Sequence, residues 1–284
     1  MNPYLQTLRP SHWPKNLIIL AVPIAAGSMP SISDMYRLLA ALFALVAISG
    51  AVYSINDLVD VDSDRAHPVK RARPLAAGEA SRFGVVVLAL FCVVAAVGIM
   101  QFLTSEVYLP IGIYLIMNVA YSFGVKQIPY LESAVVAFGF GLRLLVGSMI
   151  LQINLSQWLL GCVFFGSLMI VFGKRLSEAA NHPNSRRKVL ARYTLPALTI
   201  VSRLAGLMLM AIYVGWFFEI VNSGTQRSMA PLLLSIVFLG ALVARYLAVV
   251  RNPISESPEL LVVRDRSMLL LGILWLACFM LGYV

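Results

Sequence analysis

The chain has 284 residues, of which 60% are hydrophobic and only 12% are charged. A soluble domain carries about 25% charged residues, so this composition indicates a protein that lies in lipid. The formal net charge is +9, which in a membrane protein points to anionic headgroups or phosphorylated substrates rather than nucleic acid. Three isolated cysteines without a CxxC pattern argue against disulfides and zinc sites.

Nine apolar segments follow one another along the chain, and a helix of about 20 residues crosses a bilayer. They lie at about residues 17–29, 37–55, 84–103, 107–121, 133–151, 157–172, 194–220, 230–250 and 267–283. Residues 1–16 lack an apolar core, so we expect no cleavable signal peptide. The sequence therefore predicts an all-α, multi-pass membrane protein with about nine transmembrane helices.

Basic residues mark one side of the membrane, because cytoplasmic connections carry an excess of Lys and Arg. The N-terminal segment and every second connection hold them: Arg9 and Lys15; Arg65, Lys70, Arg71, Arg73 and Arg82; Lys126; Lys174, Arg175, Arg186, Arg187, Lys188 and Arg192; Arg251, Arg264 and Arg266. The alternate connections contain only Arg37 and Arg227. We therefore expect a cytoplasmic N-terminus and an external C-terminus in the inner membrane, with cytoplasmic caps at 56–83, 173–193 and 251–266.

An acidic motif follows the second apolar segment directly, at residues 56–64. If the helix continues, Asp57, Asp60 and Asp64 share one face at spacings i, i+3 and i+7, Asn56 flanks them, and Asp62 points away. Three carboxylates on one face repel each other unless a cation joins them. Hard oxygen ligands at the end of a membrane span predict a Mg²⁺ site that also meets substrate phosphate oxygens.

Basic residues follow the acidic motif, with Lys70, Arg71 and Arg73 close behind it. Part of this charge is explained by the cytoplasmic bias alone. The rest is typical of anion binding, because arginine gives paired contacts to phosphate and lysine a point charge. We interpret His67 as a hydrogen-bonding loop residue rather than a general base.

The motif from Asn56 to Gly78, NDLVDVDSDRAHPVKRARPLAAG, resembles the UbiA superfamily of intramembrane prenyltransferases. Within it, the chain is similar to the polyprenyl-phosphate phosphoribosyltransferases, of which the decaprenyl-phosphate enzymes are one kind. Further stretches carry this likeness: Arg9–Asn16, Tyr121–Lys126, Gly173–Arg175 with Glu178, Arg192 with Tyr193, Pro258–Leu260 and Arg264–Arg266. The resemblance implies one UbiA-like transmembrane domain over residues 1–284, with its helices around a central cavity.

The resemblance also implies a reaction: transfer of a 5-phosphoribosyl group from phosphoribosyl diphosphate to a polyprenyl phosphate, for cell-envelope biosynthesis. Mg²⁺ on Asp57, Asp60 and Asp64, supported by Asn56, would hold the donor diphosphate. Tyr121 and Lys126 are expected to face the cavity and take part in catalysis. The candidates for holding substrate phosphates are Lys15, Lys70, Arg71, Arg73, Lys126, Lys174 and Arg175.

One departure separates this chain from many UbiA members, which carry a second acidic motif between the fourth and fifth spans. Here that connection offers Lys126 and Glu132, which argues against a prenyl diphosphate held by two metal clusters. Glu132 is then either a metal ligand or the partner of Arg143, an arginine inside the fifth apolar segment.

Three other functions predict different patterns in the sequence. Prenyl transfer to an aromatic acceptor would predict the full second acidic motif. A transporter would predict internal repeats, broken helices in matching positions and charges at the membrane midplane. The sequence shows no clear repeat, and its acidic cluster lies at a loop junction. A CDP-alcohol phosphotransferase would need its own DGxxAR-type signature, which the sequence lacks.

Overall fold

The computed structural model describes residues 2–181, 189–250, 261 and 265–283, and all regular structure in these residues is helical. The α-helices are α1 (Pro3–Thr7), α2 (Ala21–Ala25), α3 (Ile32–Arg65), α4 (Pro74–Ala77), α5 (Arg82–Met100), α6 (Tyr108–Phe123), α7 (Leu131–Leu151), α8 (Gln157–Asn181), α9 (Leu195–Asn222), α10 (Met229–Val249) and α11 (Arg266–Tyr283). Short 3-10 helices occupy Pro10–Leu20, Lys70–Ala72, Ser105–Val107, Val125–Gln127 and Leu190–Arg192.

Within the described ranges, eight helices are long and apolar enough to cross a membrane, and they match the second to ninth predicted segments. The first predicted segment takes a different form, because the 3-10 helix Pro10–Leu20 runs directly into α2. Pro14 and Pro23 lie in this stretch and remove backbone donors that a continuous α-helix needs. At 2.0 Å per residue for the 3-10 part, the two pieces together are about 30 Å long, which is one bilayer core.

Helix α3 positions the acidic motif. It begins at a cap in which the Ser31 hydroxyl accepts a hydrogen bond from the Asp34 N–H (3.1 Å), and it continues for 34 residues. Such a helix is about 51 Å long, whereas the hydrocarbon core is about 30 Å thick. Its final turns, which carry the carboxylates, therefore extend past the apolar part of the helix.

The contacts divide the chain into two compact units. The first consists mainly of residues 1–23, 29–135 and 141–155, and its core is formed by fully buried side chains such as Leu45, Ile48 and Val146. Gly147 lets the first 3-10 helix approach α7, since a Cβ there would lie 2.8 Å from the Ile19 carbonyl oxygen. The expectation that residues 1–284 form one domain stays a prediction.

The second unit contains α8 to α11 and is packed largely through aromatic side chains. The Tyr213 hydroxyl is 2.8 Å from the Ser235 hydroxyl and accepts a hydrogen bond from the Trp275 indole (3.1 Å). Asp265 caps α11 by accepting from the Met268 N–H (3.0 Å). The hydrogen bond from Arg245 lowers the pKa of the Asp265 carboxyl below its usual range, and the hydrogen bond from the Met268 N–H lowers it further.

Candidate active site

The carboxylates of the acidic motif separate onto two faces of α3, as the helical period predicts. The side chains of Asp57 and Asp64 are each 3% exposed and that of Asp60 is 21% exposed. The Asp62 side chain, in contrast, is 80% exposed. We call the face with the three shielded carboxylates the inner face and the face with Asp62 the outer face.

Two arginines hold the most buried carboxylates of the inner face. One nitrogen of Arg73 lies 3.2 Å from Asp57 Oδ1 and 2.6 Å from Asp64 Oδ2, so it bridges both side chains. Arg9 forms a second ion pair with Asp57 Oδ1. Because both arginines are partly shielded from water, these pairs are stronger than ordinary surface ion pairs.

The third carboxylate is held from the connection between α6 and α7. Lys126 Nζ donates to Asp60 Oδ1 at 2.5 Å and to the Asn56 amide oxygen at 3.4 Å. The Ser122 hydroxyl also donates to that amide oxygen, at 3.3 Å. This arrangement places Asn56 beside the carboxylates, where the sequence predicted it, and joins Lys126 to the acidic motif across 66 residues of sequence.

The inner face thus matches three carboxylates with three cations. Each ion pair offsets part of the free-energy cost of shielding the two charges from water. The same cations are suited to phosphate, because guanidinium and ammonium groups bind phosphate oxygens as they bind carboxylates. Chemically, the cluster can exchange carboxylate contacts for contacts to an anionic ligand.

The donor set of the inner face also fits a hard divalent cation. Asp57 and Asp64 are held close enough for one nitrogen to bridge them, and Asp60 and Asn56 add further oxygen atoms. Across the part of the chain that the structure describes, no three His, Cys, Asp or Glu side chains form a ready-made metal site. The carboxylates instead face the three basic side chains, so metal binding by Asp57, Asp60 and Asp64 remains a prediction.

The turn after α3 places the other predicted cations differently. His67 Nδ1 accepts hydrogen bonds from the backbone N–H groups of Val69 and Lys70 (both 3.2 Å), which supports the interpretation of His67 as a loop residue. The Lys70 side chain is half-buried and Arg71 is exposed. Arg73, at the end of this turn, reaches Asp57 and Asp64.

Tyr121 and Glu132 meet at the start of α7. The Tyr121 hydroxyl donates to Glu132 Oε2 at 3.3 Å, and the Ser133 hydroxyl donates to Glu132 Oε1 at 3.1 Å. Glu132 is fully buried. Tyr121 thus lies near the end of α6, five residues before Lys126, and contacts a different carboxylate.

Two neutral side chains contact Arg143. It donates to the Asn16 amide oxygen (2.7 Å) and to the Tyr114 hydroxyl (2.8 Å), and its guanidinium lies 4.5 Å from the Tyr114 ring centroid. Glu132 lies eleven residues earlier in the same helix, an axial rise of about 16 Å. In this structure Glu132 forms hydrogen bonds with Tyr121 and Ser133, and its role as a metal ligand or as the partner of Arg143 stays a prediction.

Lys15 lies on the 3-10 helix Pro10–Leu20, where its Nζ is 2.7 Å from His12 Nδ1. Lys174 and Arg175 belong to the second unit. Lys174 is half-buried, and Arg175 is 4% exposed and pairs with Glu178 at 2.8 Å. Their assignment to substrate phosphate stays a prediction. The predicted motif residues Pro258, Glu259, Leu260 and Arg264 lie outside the described residues.

Sequence reasoning did not include Arg9 in the site. Arg9 has a φ of +51°, a left-handed conformation that is uncommon for a side chain other than glycine. Its guanidinium lies 4.9 Å from the Tyr53 ring centroid and pairs with Asp57. The available signal was the Arg9–Asn16 stretch itself, which the family resemblance singled out without assigning Arg9 a role.

Comparison with known proteins agrees with the resemblance seen in the sequence. Residues 17–270 match the model of the UbiA prenyltransferase family. The decaprenyl-phosphate phosphoribosyltransferase of Corynebacterium glutamicum is 32% identical, in an alignment covering 98% of this chain and 86% of that protein. The enzyme of the same name from Mycolicibacterium smegmatis is also 32% identical, covering 96% of this chain and 89% of that protein.

Proteins of known structure share this fold. A UbiA homolog from Archaeoglobus fulgidus, bound to GPP and Mg²⁺, superposes with a TM-score of 0.74 over 98% of this chain and 99% of that chain. Only 16% of the residues are identical, so this likeness establishes the fold alone. The predicted all-α membrane architecture is confirmed, and the chain is a transferase that belongs to the UbiA prenyltransferase family.

Proposed function

We propose that this enzyme transfers a 5-phosphoribosyl group from phosphoribosyl diphosphate to a polyprenyl phosphate and releases diphosphate. The observation that carries the proposal is the inner face of α3, with its three cation-paired carboxylates, in a chain related over nearly its full length to decaprenyl-phosphate phosphoribosyltransferases. A diphosphate donor needs both oxygen ligands for a metal and basic groups for phosphate. The inner face supplies both.

The reaction forms one bond and breaks one. A phosphate oxygen of the lipid bonds to C1 of the ribose, and the bond from C1 to the diphosphate oxygen breaks, with its electron pair leaving on the diphosphate. The acceptor phosphate is already ionised near neutral pH, so the enzyme needs no general base to activate it. The protein's contribution is positioning and stabilisation of the charge that develops on the leaving group.

Asp57, Asp60 and Asp64 are the residues that would hold Mg²⁺, with Asn56 beside them. A bound Mg²⁺ neutralises negative charge on a diphosphate leaving group. The oxygen donor set supports this assignment, and the Archaeoglobus fulgidus homolog with the same fold is bound to Mg²⁺. The chain's own residues keep the carboxylates together, through Arg73 on Asp57 and Asp64 and through Lys126 on Asp60.

The three cations of the inner face are proposed to bind phosphate groups of the donor. When the donor binds, Arg9, Arg73 and Lys126 turn part of their hydrogen bonding from carboxylate to phosphate oxygens. Each exchange replaces one charge-assisted hydrogen bond with another. Phosphoribosyl diphosphate can therefore bind without leaving a buried cation unpaired. Lys15, Lys70 and Arg71 complete the set proposed for the remaining phosphate groups, and Tyr121 orients the α6–α7 connection through Glu132.

The site is proposed to open to the cytoplasm, because the basic connections lie on the same side as the acidic motif. A charged, water-soluble donor would reach it there, while the lipid acceptor enters from the bilayer. This orientation puts the N-terminus inside and the C-terminus outside the inner membrane.

Donor choice tests the proposal. The purified full-length protein in detergent with Mg²⁺ would receive polyprenyl phosphate and labelled phosphoribosyl diphosphate. A parallel reaction would contain labelled prenyl diphosphate and 4-hydroxybenzoate. We expect label to enter the lipid from the ribosyl donor, and we expect the Asp60→Asn variant to lose about 10²-fold or more of this rate.

Asp62→Asn is the matched control, because it removes a carboxylate of the same motif from the outer face. It should keep the wild-type rate. Label moving only in the aromatic reaction would overturn the proposal in favour of prenyl transfer. Equal losses in the Asp60 and Asp62 variants would show that the inner face has no special role.

A further inference from the structure

The 3-10 helix Pro10–Leu20 arranges its side chains in straight columns. A 3-10 helix has three residues per turn, so side chains at i and i+3 lie above one another. Burial follows this period. One column is exposed, and it contains Ser11, Pro14 and Leu17. A second column ends in the buried residues Asn16 and Ile19, which are 1% and 0% exposed.

The remaining column is basic. It begins with Arg9, at the cap of the helix, and continues with His12 and Lys15. In an α-helix, successive i+3 steps would rotate these side chains by about 60° each, so their alignment depends on the 3-10 winding. All three are half-buried. We call these three residues the basic column.

The basic column lies against one aromatic side chain of α3. The Arg9 guanidinium is 4.9 Å from the Tyr53 ring centroid, and the His12 ring centroid is 5.5 Å from it. Lys15 Nζ continues the column at 2.7 Å from His12 Nδ1. Tyr53 therefore fixes the two upper members of the column on the turn of α3 just before Asn56 and Asp57.

The contact between Lys15 and His12 is suited to an anion. At 2.7 Å, a protonated lysine can donate to a neutral imidazole, but two protonated groups would repel each other strongly. A phosphate oxygen that replaces His12 Nδ1 as the acceptor of the Lys15 hydrogen bond would exchange a neutral acceptor for a charged one, which strengthens the bond. Together with Arg9, the column offers three hydrogen-bond donors. They can contact one phosphate group, and Arg9 can also contact the diphosphate held near Asp57.

The column runs from the polar site toward the apolar core. Its upper end is Arg9, on Asp57. In the neighbouring column, Asn16 accepts a hydrogen bond from the Ser49 hydroxyl (3.4 Å), and Ser49 lies eight residues before Asp57 on α3, about 12 Å away along the helix. Three residues after Lys15, the basic column continues with the apolar residue Ile18, which is half-buried. Polar and apolar ends are thus joined by one column.

We propose that the basic column Arg9–His12–Lys15 binds the phosphate group of the lipid acceptor. This inference rests on the proposed function and names which substrate the column takes. A lipid phosphate needs basic groups at its head and an apolar path for its chain, and the column offers the two in that order. Arg9 then contacts both substrates, because it also reaches Asp57, where the donor diphosphate is held.

Steady-state kinetics with each substrate varied in turn tests the assignment. We expect Lys15→Met and His12→Asn to raise the KM for polyprenyl phosphate by about tenfold or more, because each removes a hydrogen bond to a charged group. The KM for phosphoribosyl diphosphate should change by less than about twofold, within the range of surface substitutions. Ser11→Ala, in the exposed column of the same 3-10 helix, is the matched control and should change neither value.

The reverse pattern, a raised KM for the donor with an unchanged KM for the acceptor, would overturn the assignment. Equal thermal unfolding midpoints of the variants and the wild type would show that the effects do not arise from misfolding. A variant that fails to fold is replaced by Lys15→Arg, which keeps the charge and should restore acceptor binding.

A binding measurement separates this inference from the proposed reaction. Without any donor, the wild-type protein should bind farnesyl phosphate about tenfold or more tightly than farnesol, and Lys15→Met should abolish this difference. Equal affinity of the wild type for both probes would overturn the phosphate site, whatever reaction the enzyme catalyses. A retained preference for the phosphate in a protein that shows no ribosyl transfer would instead place the failure in the proposed function alone.

Discussion

The inner and outer faces of α3 carry the same residue type within eight positions, yet their carboxylates have different surroundings. On the outer face, Asp62 contacts Arg65 at 3.4 Å and Arg82 at 3.7 Å, and all three side chains are more than half exposed. On the inner face, the partners of Asp57 and Asp60 come from 48 residues earlier and 66 residues later in the chain.

The ion pairs of the two faces differ in what they require of the fold and in how much they stabilise it. The Asp62–Arg65 pair forms between neighbours on one helix and contributes about 0.3–0.5 kcal/mol at most. The inner pairs require three separate segments to converge, and shielding them from water costs free energy that the pairing only partly returns. An arrangement with this cost and little gain in stability indicates a role in binding or catalysis.

The strongest test of the comparison is Asp57→Asn. Asp57 has two arginine partners and is 3% exposed, so neutralising it leaves Arg9 and Arg73 with a weaker acceptor. We expect a loss of about 10²-fold or more in kcat and a destabilisation of about 1–3 kcal/mol. Rate measurements and thermal unfolding in detergent would check the two effects. Full activity in a folded Asp57→Asn protein would contradict the role of the inner face.

The inner face was predictable from the sequence because it depends only on helical periodicity. Asp57, Asp60 and Asp64 share one side of any continuous α-helix, and α3 is continuous through Arg65. The family resemblance included Lys126 and Asn56 among the site residues, but it did not predict that the two would be in contact. No local pattern states that residues 66 positions or more apart will meet.

Arg9 and the basic column were not predictable by the same means. The first apolar segment suggested a short membrane helix, whereas the structure winds Pro10–Leu20 as a 3-10 helix. This winding, with Pro10 and Pro14, decides that His12 and Lys15 align. The positive φ of Arg9 then directs its side chain to Asp57, and such a conformation is set by tertiary contacts rather than by local preference.

A second test compares one arginine from each face. Arg73 bridges Asp57 and Asp64, whereas Arg65 contacts only Asp62. Arg73→Met should reduce kcat by about tenfold to 10²-fold, because two carboxylates lose their shared partner and the donor loses a phosphate contact. Arg65→Met should stay within about twofold of the wild-type rate. Similar losses in the two variants would mean that net charge near the motif matters, and not the geometry of the inner face.

The smallest expected effect belongs to charge reversal on the outer face, Asp62→Lys. This change places a third positive charge beside Arg65 and Arg82, but all three side chains lie in water. Exposed charges interact weakly and are screened by salt, with a Debye length of about 10 Å at 0.1 M ionic strength. We expect a stability change within about 0.5 kcal/mol that shrinks further at high salt, together with an unchanged KM for both substrates. Unfolding midpoints at low and high ionic strength would measure it, and a large loss that persists in high salt would show that Asp62 belongs to the site after all.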